Sequence, residues 1–207
     1  MADGNVKREI VEIIIPHFKI GYTFDVNQTE GKPLVELSQQ LTGELTDSQK
    51  ELKDALLQIS PVPVSFQPIE GSANGFYSLD KNVITVDSTL SEKQSVKTLI
   101  HEIAHATIHN INIPDVPKDS PTREVQAESI AYVVCKYFGM DVSDYSFGYI
   151  AGWSTGKNTK ELKESLEIIR DTSNNIISKT EQTLTQMQSV KQKVSETIQP
   201  RRRGRCM

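Results

Sequence analysis

Two histidines four residues apart, with a glutamate after the first, constrain this chain more than any other stretch: His101-Glu102-Ile103-Ala104-His105. On a helix, residues four apart lie about 40° apart around the axis, so both imidazoles leave one face a turn apart. Such a pair can grip a single tetrahedral Zn²⁺, with Glu102 beside it to take a proton from a water held there. The surrounding residues favour the helix this geometry needs. Residues 92–110 carry Val96, Leu99, Ile100, Ile103 and Thr107 at helical spacing, and Ser91 with Gln94 predicts a capping box ahead of them.

A catalytic zinc takes a third protein ligand and keeps one position open. Downstream, Ser120 reads as an N-cap and Pro121 as the first helical residue of a helix over about 121–138. Val125, Ile130, Val133, Val134, Tyr137 and Phe138 form its apolar positions, and Gly139 is placed to end it. Glu124 and Glu128 lie one turn apart on this helix and face the same way. We assign Glu124 to the metal and Glu128 to a hydrogen bond from the outer nitrogen of a ligating histidine. Spacing alone leaves the reverse order open. His109, one turn beyond His105, suits packing or a hydrogen bond behind the site, and His17 receives no role.

On these residues the chain resembles a family. KTLIHEIAHATIH, REVQAESIAYVVC and YFGMDVSDYSFGYIAGW are similar to the zincin domain of ArdC/LtrC-type antirestriction proteins, relatives of the ImmA/IrrE metallopeptidases of mobile elements. Upstream, FKIGYTFDVNQTEGKPL resembles the segment that joins the family's single-stranded-DNA-binding domain to its peptidase domain, so the likeness covers roughly residues 16–155. The resemblance implies His101, His105 and Glu124 as ligands and Glu102 as base, and position 128 matches as Glu. Only fifteen residues precede it. Nucleic-acid contact is therefore expected only through a missing N-terminal domain or through the basic tail Arg201–Arg205.

Composition sets the outer limits. The chain has 207 residues, 37% of them hydrophobic, enough for one ordinary core with an appendage. Two cysteines exclude a disulfide framework, and no apolar run approaches a membrane span or a signal peptide, which predicts a cytoplasmic protein. Acidic residues outnumber basic ones over 1–157, and the balance reverses over 158–207. An acidic catalytic region argues against a duplex-DNA surface on it.

Along the chain, residues 5–15 suggest a short helix and Phe18–Val26 alternate like a strand. Thr46 with Gln49 predicts a capping box opening a helix to Ile59. VPVSFQPI, GFYSL and NVITVD read as three strands just ahead of the HExxH helix, and residues 74–77 are a candidate substrate edge. Tyr145, Phe147, Tyr149 and Trp153 form the densest aromatic cluster, from which Tyr149 is a candidate oxyanion stabiliser. From Lys160 to Ile198 apolar residues recur at threes and fours, predicting one long helix, or two with a break near Asn174-Asn175. Its pattern does not specify an oligomer.

These observations predict an α+β, zincin-like metallopeptidase domain over 1–157, with a small sheet on the HExxH helix and a second ligand helix. A C-terminal amphipathic helix and basic tail follow over 158–207. The expected activity is zinc-dependent hydrolysis of a protein or peptide substrate, which the resemblance links to mobile-element regulation or antirestriction. The rival reading is a non-catalytic zinc-fold module that acts by binding.

Overall fold

Thr46 starts the first helix, α1 (Asp47–Ile59), as its neighbours dictate. Its side chain accepts from the Gln49 backbone N–H, and the Gln49 side chain accepts from the Thr46 N–H at 3.0 Å, closing the predicted box. The computed structural model describes residues 40–110, 113, 116, 120–142 and 159–198, all within the compact unit Glu36–Met207. The helix expected over 5–15, the alternating stretch 18–26, the aromatic cluster with Tyr149 and the basic tail lie outside the described residues.

Three short strands follow: β1 (Val64–Gln67), β2 (Gly75–Ser78) and β3 (Val83–Asp87). Their spatial order is β1-β3-β2, with β1 parallel and β2 antiparallel to β3. Asn82, at a φ of 51°, turns the chain from β2 into β3, a conformation asparagine tolerates better than most residues. Ile84, Thr85 and Val86 of the central strand are all buried. The sheet rests on the HExxH helix, α2 (Glu92–Ile108), through β2 and β3.

Ser91 caps α2, but the box predicted there closes on one side only. Ser91 accepts from the Gln94 N–H, while Gln94 Oε1 accepts from the Leu41 N–H at 2.9 Å. A distant backbone donor has taken the oxygen that the local motif would have used. On its other side α2 packs against α3 (Ser120–Tyr137), and α3 packs in turn against α4 (Thr159–Ile198).

Being covered by helices on two sides, α3 has no single apolar stripe. Ala127, Ile130, Ala131, Val134 and Cys135 are all buried. Two positions expected in its core are not: Val133 is 38% and Tyr137 55% exposed. Gly139, at a φ of 75°, ends α3 as anticipated. The Met140 N–H reaches the Cys135 carbonyl and the Gly139 N–H that of Lys136, the paired bonds of a Schellman cap.

The C-terminal helix runs unbroken past Asn174-Asn175. Ile169, Ser173, Ile176, Ile177 and Thr180 supply its buried face, which lies on α3 and α1. No described helix is long and apolar enough to cross a membrane.

Candidate metal centre

The mid-helix position of His101 and His105 on α2 brings their Nε2 atoms to 3.1 Å from each other. Glu124, in the second turn of α3, faces both, its oxygens 3.4 Å from His101 Nε2 and 3.6 Å from His105 Nε2. Donors about 2.0–2.1 Å from a tetrahedral ion lie about 3.3 Å from one another, and the two Nε2 atoms and the Glu124 carboxylate are grouped at close to that spacing. Two imidazoles and a carboxylate are also the donor set of a catalytic zinc site. The residues present fit the ion.

Electrostatics favour a cation at this point. Burial alone would lower the His101 imidazole, but hydrogen bonds to Glu124 and Glu128 outweigh it and hold its pKa at about 9. Hydrogen bonds from His101 and His105 keep the Glu124 carboxyl well below the usual carboxylate range. The site therefore presents an ionised carboxylate and a strong preference for positive charge beside it.

Glu128 takes the position behind His101. Its Oε2 lies 3.2 Å from His101 Nδ1, a buried nitrogen with no aligned hydrogen-bond partner among the described residues. The same oxygen receives a 2.6 Å hydrogen bond from Lys97 Nζ. Burial would raise Glu128, but His101 and Lys97 hold its pKa at about 2. Burial also lowers Lys97, with Glu128 acting against it.

Behind His105 stands His109. Its Nδ1 lies 2.8 Å from His105 Nδ1, and its Nε2 lies 3.0 Å from Gln126 Oε1. Burial pushes the His109 imidazole down to about 4, so it is neutral at ordinary pH.

Glu102 lies beside the ligand histidines and reaches β2, lining the same cleft as His101 and Glu124. It is buried, and that burial raises its pKa, with His101, His105 and the Tyr77 backbone N–H pulling the other way. Gly75 makes the approach of β2 to α2 feasible. A Cβ there would sit 2.7 Å from Thr98 Cγ2 and 2.9 Å from the Thr85 carbonyl oxygen.

The cleft between β2 and the two ligand helices widens on either side of this point. A cavity of about 290 Å³ lies toward Phe76, Leu79 and Arg123. Another of about 240 Å³ lies toward Ser72, Asn74 and Lys97.

The structure thus brings together His101, Glu102, His105, Glu124 and Glu128, while Tyr149 falls outside the described residues. Sequence reasoning missed Lys97, Gln126 and Ser165. Lys97 sits one turn before His101 in an apolar run, and that lysine among Val96, Leu99 and Ile100 was the available signal.

Fold and site together define a zincin-like α+β domain. Residues 58–145 match the IrrE N-terminal-like peptidase domain, a segment that runs from the end of α1 past the end of α3. This agrees with the ImmA/IrrE side of the resemblance and lends nothing to its antirestriction side. An uncharacterized protein of Bacillus anthracis, pXO2-81, is 28% identical over 192 residues, which cover 84% of this chain and 32% of that protein. The chain thus spans about a third of the length of the relative it matches. No solved structure matches it.

Proposed function

We propose that this domain is a zinc-dependent peptidase acting on extended segments of protein. The convergence of His101, His105 and Glu124 next to a buried Glu102, inside an open cleft, carries this reading. What a bound zinc would supply there is Lewis acidity toward the scissile carbonyl and a lowered pKa for the attacking water. The Glu102 carboxyl is raised by burial above its ordinary range, which makes it a stronger proton acceptor. It takes the proton from the attacking water and hands it to the leaving amine.

The cleft also fits an extended chain. Among the described residues β2 pairs only with β3, so its outer edge offers backbone groups to a substrate strand. Phe76 and Leu79, both more than 40% exposed, provide an apolar surface on one side of Glu102. The likeness over residues 16–155 extends the reading to limited cleavage of a cellular protein in the setting of a mobile element.

The test is cleavage of a mixed peptide library by zinc-loaded protein, read by mass spectrometry, for wild type and Glu102→Gln. Wild type should cut, while Glu102→Gln should keep its zinc and lose cleavage by at least about a hundredfold. A zinc-loaded wild type that cuts nothing would favour the binding module instead.

A further inference from the structure

A continuous hydrogen-bonded chain joins the metal centre to α4. His105 Nδ1 meets His109 Nδ1 at 2.8 Å, His109 Nε2 meets Gln126 Oε1 at 3.0 Å, and Gln126 Nε2 donates to Ser165 Oγ at 3.1 Å. Three helices contribute: α2 holds His105 and is capped by His109, α3 holds Gln126, and α4 holds Ser165. His109, Gln126 and Ser165 are all buried.

The chain has one self-consistent direction. A His105 that presents Nε2 to the metal carries its proton on Nδ1 and donates to His109 Nδ1. His109 then holds its own proton on Nε2 and donates it to Gln126 Oε1. The Gln126 amide, its oxygen occupied, turns its NH₂ to Ser165. Each link then pairs one donor with one acceptor, and reversing any one link leaves two like groups facing each other inside the protein.

We propose that α4 is a positioning element for the metal centre, acting through Ser165, Gln126 and His109 to fix the ring and tautomer of His105. The observation behind it is independent of Glu128 and Lys97, which orient the other histidine. The proposal rests on the reading of His105 as a zinc ligand. It makes Gln126 and Ser165 positioning residues, and it ties zinc affinity to the docking of a helix that lies outside the residues matching the peptidase domain.

The test compares zinc affinity, by chelator competition, in wild type, Gln126→Leu, Ser165→Ala and Ser173→Ala. Ser173 is the control, a buried α4 serine whose hydroxyl has no hydrogen-bond partner among the described residues. Gln126→Leu should weaken zinc binding about 10- to 100-fold and Ser165→Ala several-fold, with Ser173→Ala at the wild-type value. Melting of the metal-free proteins separates this from general loosening, since both relay variants should remain folded at the temperature of the zinc titration.

Nitrogen-15 NMR of the imidazoles supplies a readout that packing alone would not move. His109 should carry its proton on Nε2 in wild type and populate both tautomers in Gln126→Leu. Wild-type zinc affinity in both relay variants would overturn the proposal, as would a loss matched by Ser173→Ala. A wild type that takes up no zinc would overturn the metal centre itself, and the relay with it.

Discussion

Lys97 Nζ lies 2.6 Å from Glu128 Oε2, with the two side chains only 3% and 2% exposed. This ion pair spans α2 and α3 directly behind His101 and keeps the Glu128 carboxylate charged in a dry setting. Removing one partner of such a pair strands the other. Lys97→Met should therefore destabilise the metal-free protein by about 3–5 kcal/mol, measured by urea unfolding. The double variant Lys97→Met/Glu128→Gln should recover much of that loss. A double-variant loss equal to the sum of the two single-variant losses would show that the pair is not coupled.

Zinc content separates the two glutamates of α3. Protein purified without added metal should hold near one zinc per chain in wild type and almost none in Glu124→Ala. Glu128→Gln should retain zinc with affinity reduced about 10- to 100-fold, because it only orients His101. Loss of zinc in Glu128→Gln with retention in Glu124→Ala would invert the assignment.

At Gly75 the constraint is steric. An added methyl group meets Thr98 Cγ2 and the Thr85 carbonyl, both closer than 3.0 Å. Gly75→Ala should cost about 1–3 kcal/mol and move β2 away from Glu102. Pairing it with Thr98→Ser removes one of the two obstacles and should return part of the melting temperature. No change in melting for Gly75→Ala would mean that β2 does not press on α2.

Cys135 gives a dependence on pH whose sign can be worked out. Burial pushes its thiol up to about 12 from an ordinary value near 9. Above pH 9 the unfolded chain therefore ionises this thiol while the folded chain does not. Its contribution is fully present below pH 9 and is lost as pH rises toward 12. Wild type should lose up to about 1.4 kcal/mol per pH unit more than Cys135→Ala over that window, by denaturant titration. Parallel slopes would count against a buried, neutral thiol.

The hold on α4 is apolar rather than ionic. Lys191 pairs with Glu51 at 2.8 Å and the Tyr137 hydroxyl donates to Glu181 at 2.6 Å, but all of this lies near solvent. Lys191→Ala and Tyr137→Phe should each change stability by less than about 1 kcal/mol. Ile176→Ala, which empties a buried site on the same helix, should cost about 2–5 kcal/mol. The reverse ranking in thermal melts would sink this account.

What the sequence determined by itself is local in origin. The capping pair Thr46 and Gln49, the run of apolar residues through α2 and the glycine after α3 each act within a turn or two of chain. HExxH is legible for the same reason, since helical geometry alone puts His101 and His105 on one face. Even the Glu124 and Glu128 pair could be seen, though not ordered. Tertiary structure decided the rest, because the partners lie far apart in the chain. Lys97 finds Glu128 across 31 residues, and Gln126 finds Ser165 across 39. Leu41 claims Gln94 across 53, which is why the second capping box closes on one side only. Val133 and Tyr137 read as core because their own helix is apolar around much of its circumference. Their exposure follows from where α2 and α4 cover α3 and where they leave it open. Helix periodicity is written into adjacent residues, whereas which of the two α3 carboxylates faces the Nε2 atoms of both histidines is set by how α3 packs on α2.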